Sequence, residues 1–420
     1  MTDSASQPTS LLLTNADLVD GTSPEPRRGV NVLIENGRIA QVSEASIAAP
    51  DARVVDLKGR TLMPGLIDCH VHVIATTADL AANALLPDAL VAARATPILK
   101  GMLARGFTTV RDVGGADRGI QQAVEEGHFA GPRLVVCGKA LSQTGGHSDL
   151  RGFYDERDDQ YQTRRLGSLG RLCDGIDAVR RATRQEIKGG AQFIKVMANG
   201  GVSSPSDPID FLSFSVDELK AIVEEAANAQ TYVAAHLYTD QAIRRAVEAG
   251  VHSLEHCNLI TPETARLAAE RGAMACPTLV TYERLKIDGA DFGLKPESVA
   301  KIDDVRLAGL ESLAIMREAG LEMAFGTDLL GQMHPHQSEE FVIRSQVLPA
   351  QEIIRSATAT AAKLLRMEGE IGCVAPGARA DLIVVDGNPL EDLRLLAGQG
   401  DHLSLILQGG IAVKDRLGLQ

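Results

Sequence analysis

The chain has 420 residues, enough for one large domain and a smaller one, each with its own buried core. A formal net charge of −13, with no Lys/Arg-rich block, excludes a nucleic-acid surface. Hydrophobic residues at 45% and charged residues at 23% are ordinary for a globular protein, and no apolar stretch is long enough to span a membrane.

The first ten residues are polar and lack a basic region ahead of an apolar core, which predicts a cytoplasmic protein. A chain shorn of its leader would read the same. Cys69, Cys137, Cys173, Cys257, Cys276 and Cys373 are scattered singly, with no Cys-x-x-Cys pair. That spacing argues against a thiolate zinc site or a disulfide framework and predicts small core residues.

Between residues 11 and 62 the pattern is short β runs broken by turns, with Asn36-Gly37 as a hairpin signal. Residues 377–386, 403–407 and 411–414 read the same way. Two terminal β pieces, residues 1–62 and 367–420, are expected to assemble one small β-sandwich-like domain around the middle, 63–366. The middle alternates. Strands are expected at 65–72, 107–112, 133–140, 192–197, 231–236, 251–256, 274–280 and 322–328. Helical patterns at 217–229, 239–249, 261–271 and 305–319 fall between them. Such alternation predicts an α/β protein, a (β/α)8 TIM barrel. A doubly wound open sheet is the alternative, but no Gly-x-Gly-x-x-Gly follows the first strand. The polar segment 149–174 reads as an elaborated loop that could serve as a lid.

Within Gly65-Leu66-Ile67-Asp68-Cys69-His70-Val71-His72 the two histidines lie two apart on an extended segment, so both leave one strand face and can grip one ion. Lys195, His236, His256 and Asp328 also fall at or near the ends of expected strands, where a barrel carries its active site. Imidazole and carboxylate suit zinc or a similar divalent metal. An ammonium at Lys195, between Ile194 and Val196 and facing a cationic centre, is disfavoured; the free amine can instead add carbon dioxide.

The 65–72 motif, the strand lysine, the two later histidines, Gly326-Thr327-Asp328 and the closing run through Gly372, Gly377 and Ala380-Asp381-Leu382-Ile383-Val384-Val385 resemble the amidohydrolase superfamily. The resemblance implies two divalent metal ions, zinc foremost. His70, His72 and Asp328 would hold the more buried ion and His236 and His256 the other, with Lys195 as a bridging N6-carboxylysine. Asp328 would double as general acid/base.

Further stretches resemble the branch containing Xaa-Pro dipeptidases and ochratoxin-hydrolysing enzymes. In that branch His147 would polarise the scissile carbonyl, the loop with Gly201, Val202 and Ser203 would cradle substrate, and Tyr238 with Arg244 would bind a substrate carboxylate. After Asp328 the chain departs from the branch, reading His334-Pro335-His336. The implied activity is cleavage of the amide between an acyl or aminoacyl group and a C-terminal amino acid, on a dipeptide or on a small amide such as ochratoxin A. The alternative is a cyclic amide hydrolase of the imidazolonepropionase type. The same resemblance implies a homo-oligomer.

Overall fold

The computed structural model describes residues 10–23, 25–204 and 207–419. The polar stretch 1–9, and Pro205 and Ser206 of the loop after the fourth expected strand, lie outside the described residues. The chain divides into two compact units: Met1–Ile67, Gly101–Thr109 and Pro349–Gln420 form one, Asp68–Lys100 and Val110–Leu348 the other.

The first unit is built on an eight-stranded sheet drawn from both chain ends. From one edge its order is Ile411–Asp415, Leu403–Gln408, Leu382–Val385, Thr61–Pro64, Ser10–Leu18, Arg27–Glu35 and Arg38–Ser43; Arg53–Asp56 pairs in parallel with Ser10–Leu18. Leu13, Val32, Leu62, Val384 and Leu405 pack into its core. Asn36-Gly37 makes the expected hairpin, with Glu35 opposite Arg38 and both turn residues at positive φ, 50° and 76°.

In the larger sheet of the second unit the strands run in parallel, with helices between them. Gly170–Leu172, Ala140–Ser142, Ile194–Met197, Val233–Thr239, Ser253–Leu259 and Met274–Cys276 are neighbours in one six-stranded sheet. Leu66–Val71, Phe107–Asp112 and Arg133–Val136 form a three-stranded sheet. Helix starts are chemically marked: Thr239 and Thr261 cap the helices after two strands, and Ser215 forms a reciprocal capping box with Glu218. No helix among the described residues is long and apolar enough to cross a membrane.

Four expected elements differ. The strand expected at 133–140 ends at Val136, and Ala140–Ser142 is a separate strand in the six-stranded sheet. The strand expected at 274–280 stops at Cys276, and the helix Leu279–Asp288 begins at once. Pro277 has no N–H for a ladder, and the amide of Val280 donates to Glu340 Oε2 at 2.7 Å. Residues 322–328 hold only a parallel bridge from Ala275 to Met323; the bonding then switches to Cys69 N donating to Phe325 O and Asp328 N donating to His70 O. A segment that changes partner midway builds no continuous ladder. The helix expected at 305–319 is two, Pro296–Arg306 and Gly309–Glu318. At their junction Asn258 Nδ2 takes the carbonyl of Val305 at 3.1 Å.

The hairpin is testable. A Cβ on Gly37 would stand 2.7 Å from the carbonyl oxygen of Gly409 on a left-handed backbone. Gly37→Ala is expected to lower stability by about 1–3 kcal/mol, the usual cost of such strain. Thermal unfolding checks it, and an unchanged Tm would mean that the turn relaxes freely.

Candidate functional site

His70 and His72 leave the end of the strand Leu66–Val71 on the same side, as their spacing demands. The partner of each ring fixes its tautomer. His70 Nδ1 donates to Glu255 Oε2 at 2.7 Å, and His72 Nδ1 donates to the carbonyl of Gly114 at 2.9 Å. Both rings therefore turn Nε2 toward Asp328 Oδ1, at 3.4 and 3.2 Å. With the ring hydrogens spent on the far side, this cluster of lone pairs calls for a cation, a proton or a metal ion.

His256 stands beside them, its ring 4.8 Å from His70, with Nδ1 2.7 Å from Thr278 Oγ1. His236 follows at 4.7 Å from His256 and donates Nε2–H to the carbonyl of Gly200 at 3.2 Å, which leaves Nδ1 free. Lys195, His70, His72, His147, His236, His256, Asp328 and Ser203 all line one cavity of about 40 Å³. Leu80, Leu150, Leu169, Met197 and Leu330 supply its apolar wall. Leu150 and Leu169 come from the ends of the segment expected as a loop or lid, which carries a short helix, Asp159–Thr163.

Charge in this buried setting is tightly arranged. Burial pushes the Lys195 ammonium toward the free amine, against the pull of Glu255 and Asp328. Burial likewise favours neutral His236 and His256. Burial alone would raise the carboxyl of Asp328, but His70 and His72, when their rings carry a second proton, outweigh it and hold the group well below the usual carboxylate range. Glu255 is fully buried; there too burial is overcome, chiefly by Arg111 and His70, so that it stays charged.

Glu255 and its neighbours are functional positions that the sequence reading missed. Arg111 donates to both Glu255 oxygens at 2.8 and 3.0 Å, to Ser253 Oγ at 3.0 Å and to the carbonyl of Cys69 at 2.6 Å. In a regular strand Glu255 and His256 would face opposite sides, yet both reach His70. The backbone explains this: His256 and Cys257 are left-handed, φ 71° and 59°, which breaks the alternation. Ionisable residues inside apolar strands (Asp68, Arg111, Asp112 and Glu255) were the available signal, since such groups are buried only with partners.

The turn Gly326-Thr327-Asp328 is explained residue by residue. A Cβ at Gly326 would stand 2.5 Å from Cys276 Sγ and 2.9 Å from His70 Cβ. Thr327 Oγ1 donates to Asp68 Oδ2 at 2.6 Å, where Gln337 Nε2 also donates at 2.8 Å. Asp328 takes a left-handed φ of 54°, and its amide bonds the carbonyl of His70. All six cysteines are buried and none is in a disulfide, as expected. Cys276 lies near His70 and Glu255 in a geometry that could hold an ion. Burial holds its thiol well above the usual range, and His70 Nδ1 is already engaged, so this is no ligand set.

The substrate-facing expectations divide. His147 stacks on His236 at 4.2 Å, with Nδ1 2.8 Å from Ser204 Oγ and 3.5 Å from Asp207 Oδ2. Gly201 lies against the His147 ring, Ser203 is on the cavity wall, and Val202 is buried. Tyr238 sits behind the histidines, its ring 4.6 Å from His236, and its hydroxyl accepts from Tyr282 at 3.1 Å. Arg244 is not brought to the cavity: its guanidinium pairs with Glu263 at 3.0 Å, while Arg245 donates to the carbonyl of Phe214.

The Glu255 brace is testable without any substrate. Arg111→Met leaves a buried carboxylate short of its main partner and is expected to cost about 3–5 kcal/mol. Adding Glu255→Gln should recover part of that loss. Chemical denaturation of both variants measures it, and a single variant as stable as the wild type would remove the brace.

Comparison with known proteins agrees with this geometry. Residues 61–412 match the amidohydrolase family. Ochratoxinase of Aspergillus niger is 33% identical over 395 residues, covering 88% of this chain and 80% of the relative. A crystal structure of an amidohydrolase superposes with a TM-score of 0.95 at 51% identity, covering 97% of this chain and 99% of that one. A prolidase complexed with N-methylphosphonate-L-proline superposes with a TM-score of 0.96 at 49% identity, covering 97% and 100%. The chain belongs to the amidohydrolase family and is an enzyme of it.

Proposed function

We propose that this enzyme is a metal-dependent hydrolase that cleaves the amide between an acyl or aminoacyl group and a C-terminal amino acid with a free carboxylate. The observation that carries the reading is the convergence of His70, His72, His236, His256, Lys195 and Asp328 on one cavity. The prolidase and ochratoxinase relatives support the substrate class, and ochratoxin A is one candidate.

The donor set fits two divalent ions, zinc foremost: imidazole nitrogens and a carboxylate converge with their hydrogens directed away. His70, His72 and Asp328 would hold one, and His236 and His256 the other. Lys195, buried as the free amine, would lose a proton on adding carbon dioxide and join both as a carbamate. Bound ions would supply Lewis acidity toward the amide carbonyl and lower the pKa of a water.

The remaining work belongs to side chains. Asp328, held charged, accepts the proton of the attacking water and returns it to the leaving amine nitrogen. His147, its Nδ1 engaged by Ser204, turns Nε2 to the substrate carbonyl. The apolar wall takes the acyl side. Tyr238, and Arg244 on leaving Glu263, would take the α-carboxylate.

The proposal includes the architecture. A closed (β/α)8 barrel is supported by backbone bonds that continue around the sheets: Gly115 N to Gly138 O, Gln192 N to Val136 O, Ala324 N to Ala275 O and Cys69 N to Phe325 O. Residues 1–62 and 367–420 would then form the small β-sandwich-like domain. The cyclic amide alternative leaves the buried Lys195 without a use.

Two measurements test the reading. Elemental analysis of zinc-loaded protein should approach two ions per chain, and Lys195→Ala should lower that ratio and abolish most activity. One ion per chain at full activity would remove the bridging role of Lys195. In a hydrolysis screen of N-acyl amino acids and dipeptides, the free acid should be preferred over its C-terminal amide by about tenfold, roughly 1.4 kcal/mol. Arg244→Met should lose that preference. Equal cleavage of acid and amide by wild type would sink the carboxylate pocket.

A further inference from the structure

Lys301 lies on the helix Pro296–Arg306, far in sequence from the loop that follows the strand Ile194–Met197. Its ammonium nonetheless donates to three backbone carbonyls of that loop: Gly201 at 2.6 Å, Ser204 at 3.0 Å and Asp207 at 3.2 Å. An ammonium has three hydrogens, and each finds an acceptor.

What these three residues do with their other atoms gives the contact its meaning. The Cα of Gly201 faces the His147 ring so closely that a Cβ would stand 1.8 Å from Cε1. Ser204 Oγ meets His147 Nδ1 at 2.8 Å. Ser204 Oγ also meets Asp207 Oδ1. Asp207 Oδ2 also accepts the amide of Gly201 at 3.1 Å and lies 3.5 Å from His147 Nδ1. Thus the residues that give Lys301 their carbonyls are the residues that hold His147.

The other side of the loop is anchored separately. Asn199 bridges to Leu212, and Asn199 Nδ2 donates to the carbonyls of Ile209 and Phe211 at 2.8 and 2.7 Å. Those bonds close the base of the loop, while Lys301 meets it at Gly201, Ser204 and Asp207.

We propose that Lys301 is a positioning residue: by gathering the carbonyls of Gly201, Ser204 and Asp207 it fixes the wall of the loop that orients His147 over the cavity. The inference rests on the role given to His147 under the proposed function. A compact point cation suits three carbonyls converging on one atom, which a planar guanidinium does not. Lys301 itself does not line the cavity, and the three residues it gathers are those that hold His147, so its removal should act chiefly on turnover.

The experiment compares wild type, Lys301→Met, His147→Ala and the double variant as zinc-loaded full-length enzyme, with N-acetyl-L-proline and glycyl-L-proline as substrates. Hydrogen exchange followed by mass spectrometry reads the loop directly. In Lys301→Met, exchange at the amides of residues 200–204 should quicken by about tenfold. Its kcat should fall by about tenfold or more, part of what losing a carbonyl-stabilising donor costs. KM should stay within about threefold of wild type. Added to His147→Ala, the substitution should cause no further loss, since both act through one ring. Unchanged exchange, unchanged kcat, a rise in KM alone, or the same fold loss on top of His147→Ala would each overturn the proposal. If Lys301→Met shows no cooperative thermal unfolding, Lys301→Gln carries the same comparison. If wild type cleaves neither substrate, the amidase reading falls by itself, and the exchange measurement still decides whether Lys301 holds the loop.

Discussion

A carboxylate with no access to water, Glu255, lies between Arg111 and His70, and the charge balance of the site depends on it. Bringing His70, His72, His236, His256 and Lys195 around one small cavity crowds groups that would repel one another if protonated. Most are kept neutral by burial, but the arrangement still needs fixed negative charge beneath it. Glu255 supplies that charge at no cost in flexibility, because Arg111 grips both its oxygens and a backbone carbonyl as well. The pair is therefore less a contribution to stability than a device that orients His70.

The same device explains the backbone. Left-handed φ angles at His256, Cys257 and Asp328 cost about 1–3 kcal/mol each and persist only where surroundings dictate them. At Asp328 the surroundings are Asp68, which receives Thr327, Gln337 and the amide of His70. At His256 they are Thr278 on the ring and Glu255 one residue before. Two of the residues proposed as ligands thus sit on strained backbone, and two buried acids hold the strain in place.

Much of this was legible in the sequence, for a physical reason. Ligand-type side chains that must reach one point from separate strands recur strand by strand, so His70, His72, Lys195, His236 and His256 announced themselves, although His236 and His256 lie midway along Val233–Thr239 and Ser253–Leu259 and not at their ends. Asn36-Gly37 was equally plain, because few residues take two positive φ angles in a row. What sequence could not show depends on events between distant segments. Residues 322–328 change partner midway, and the helix expected at 305–319 is cut where Asn258 captures the carbonyl of Val305. Glu255 was hidden by the alternation rule itself, since it and His256 should have pointed apart.

The far-side partners of the four histidines are of three kinds: a carboxylate for His70, a carbonyl for His72 and for His236, a hydroxyl for His256. The two carbonyls can only accept, so His72 must carry hydrogen on Nδ1 and His236 on Nε2. The nitrogens left bare are therefore opposite ones on the two rings, Nε2 on His72 and Nδ1 on His236. A site whose rings already expose lone pairs toward Asp328 has been prepared for a cation before one arrives, and little reorganisation remains to oppose its binding. Selectivity for a cationic centre is then a property of backbone acceptors and one buried acid, which lie behind the residues that would touch it.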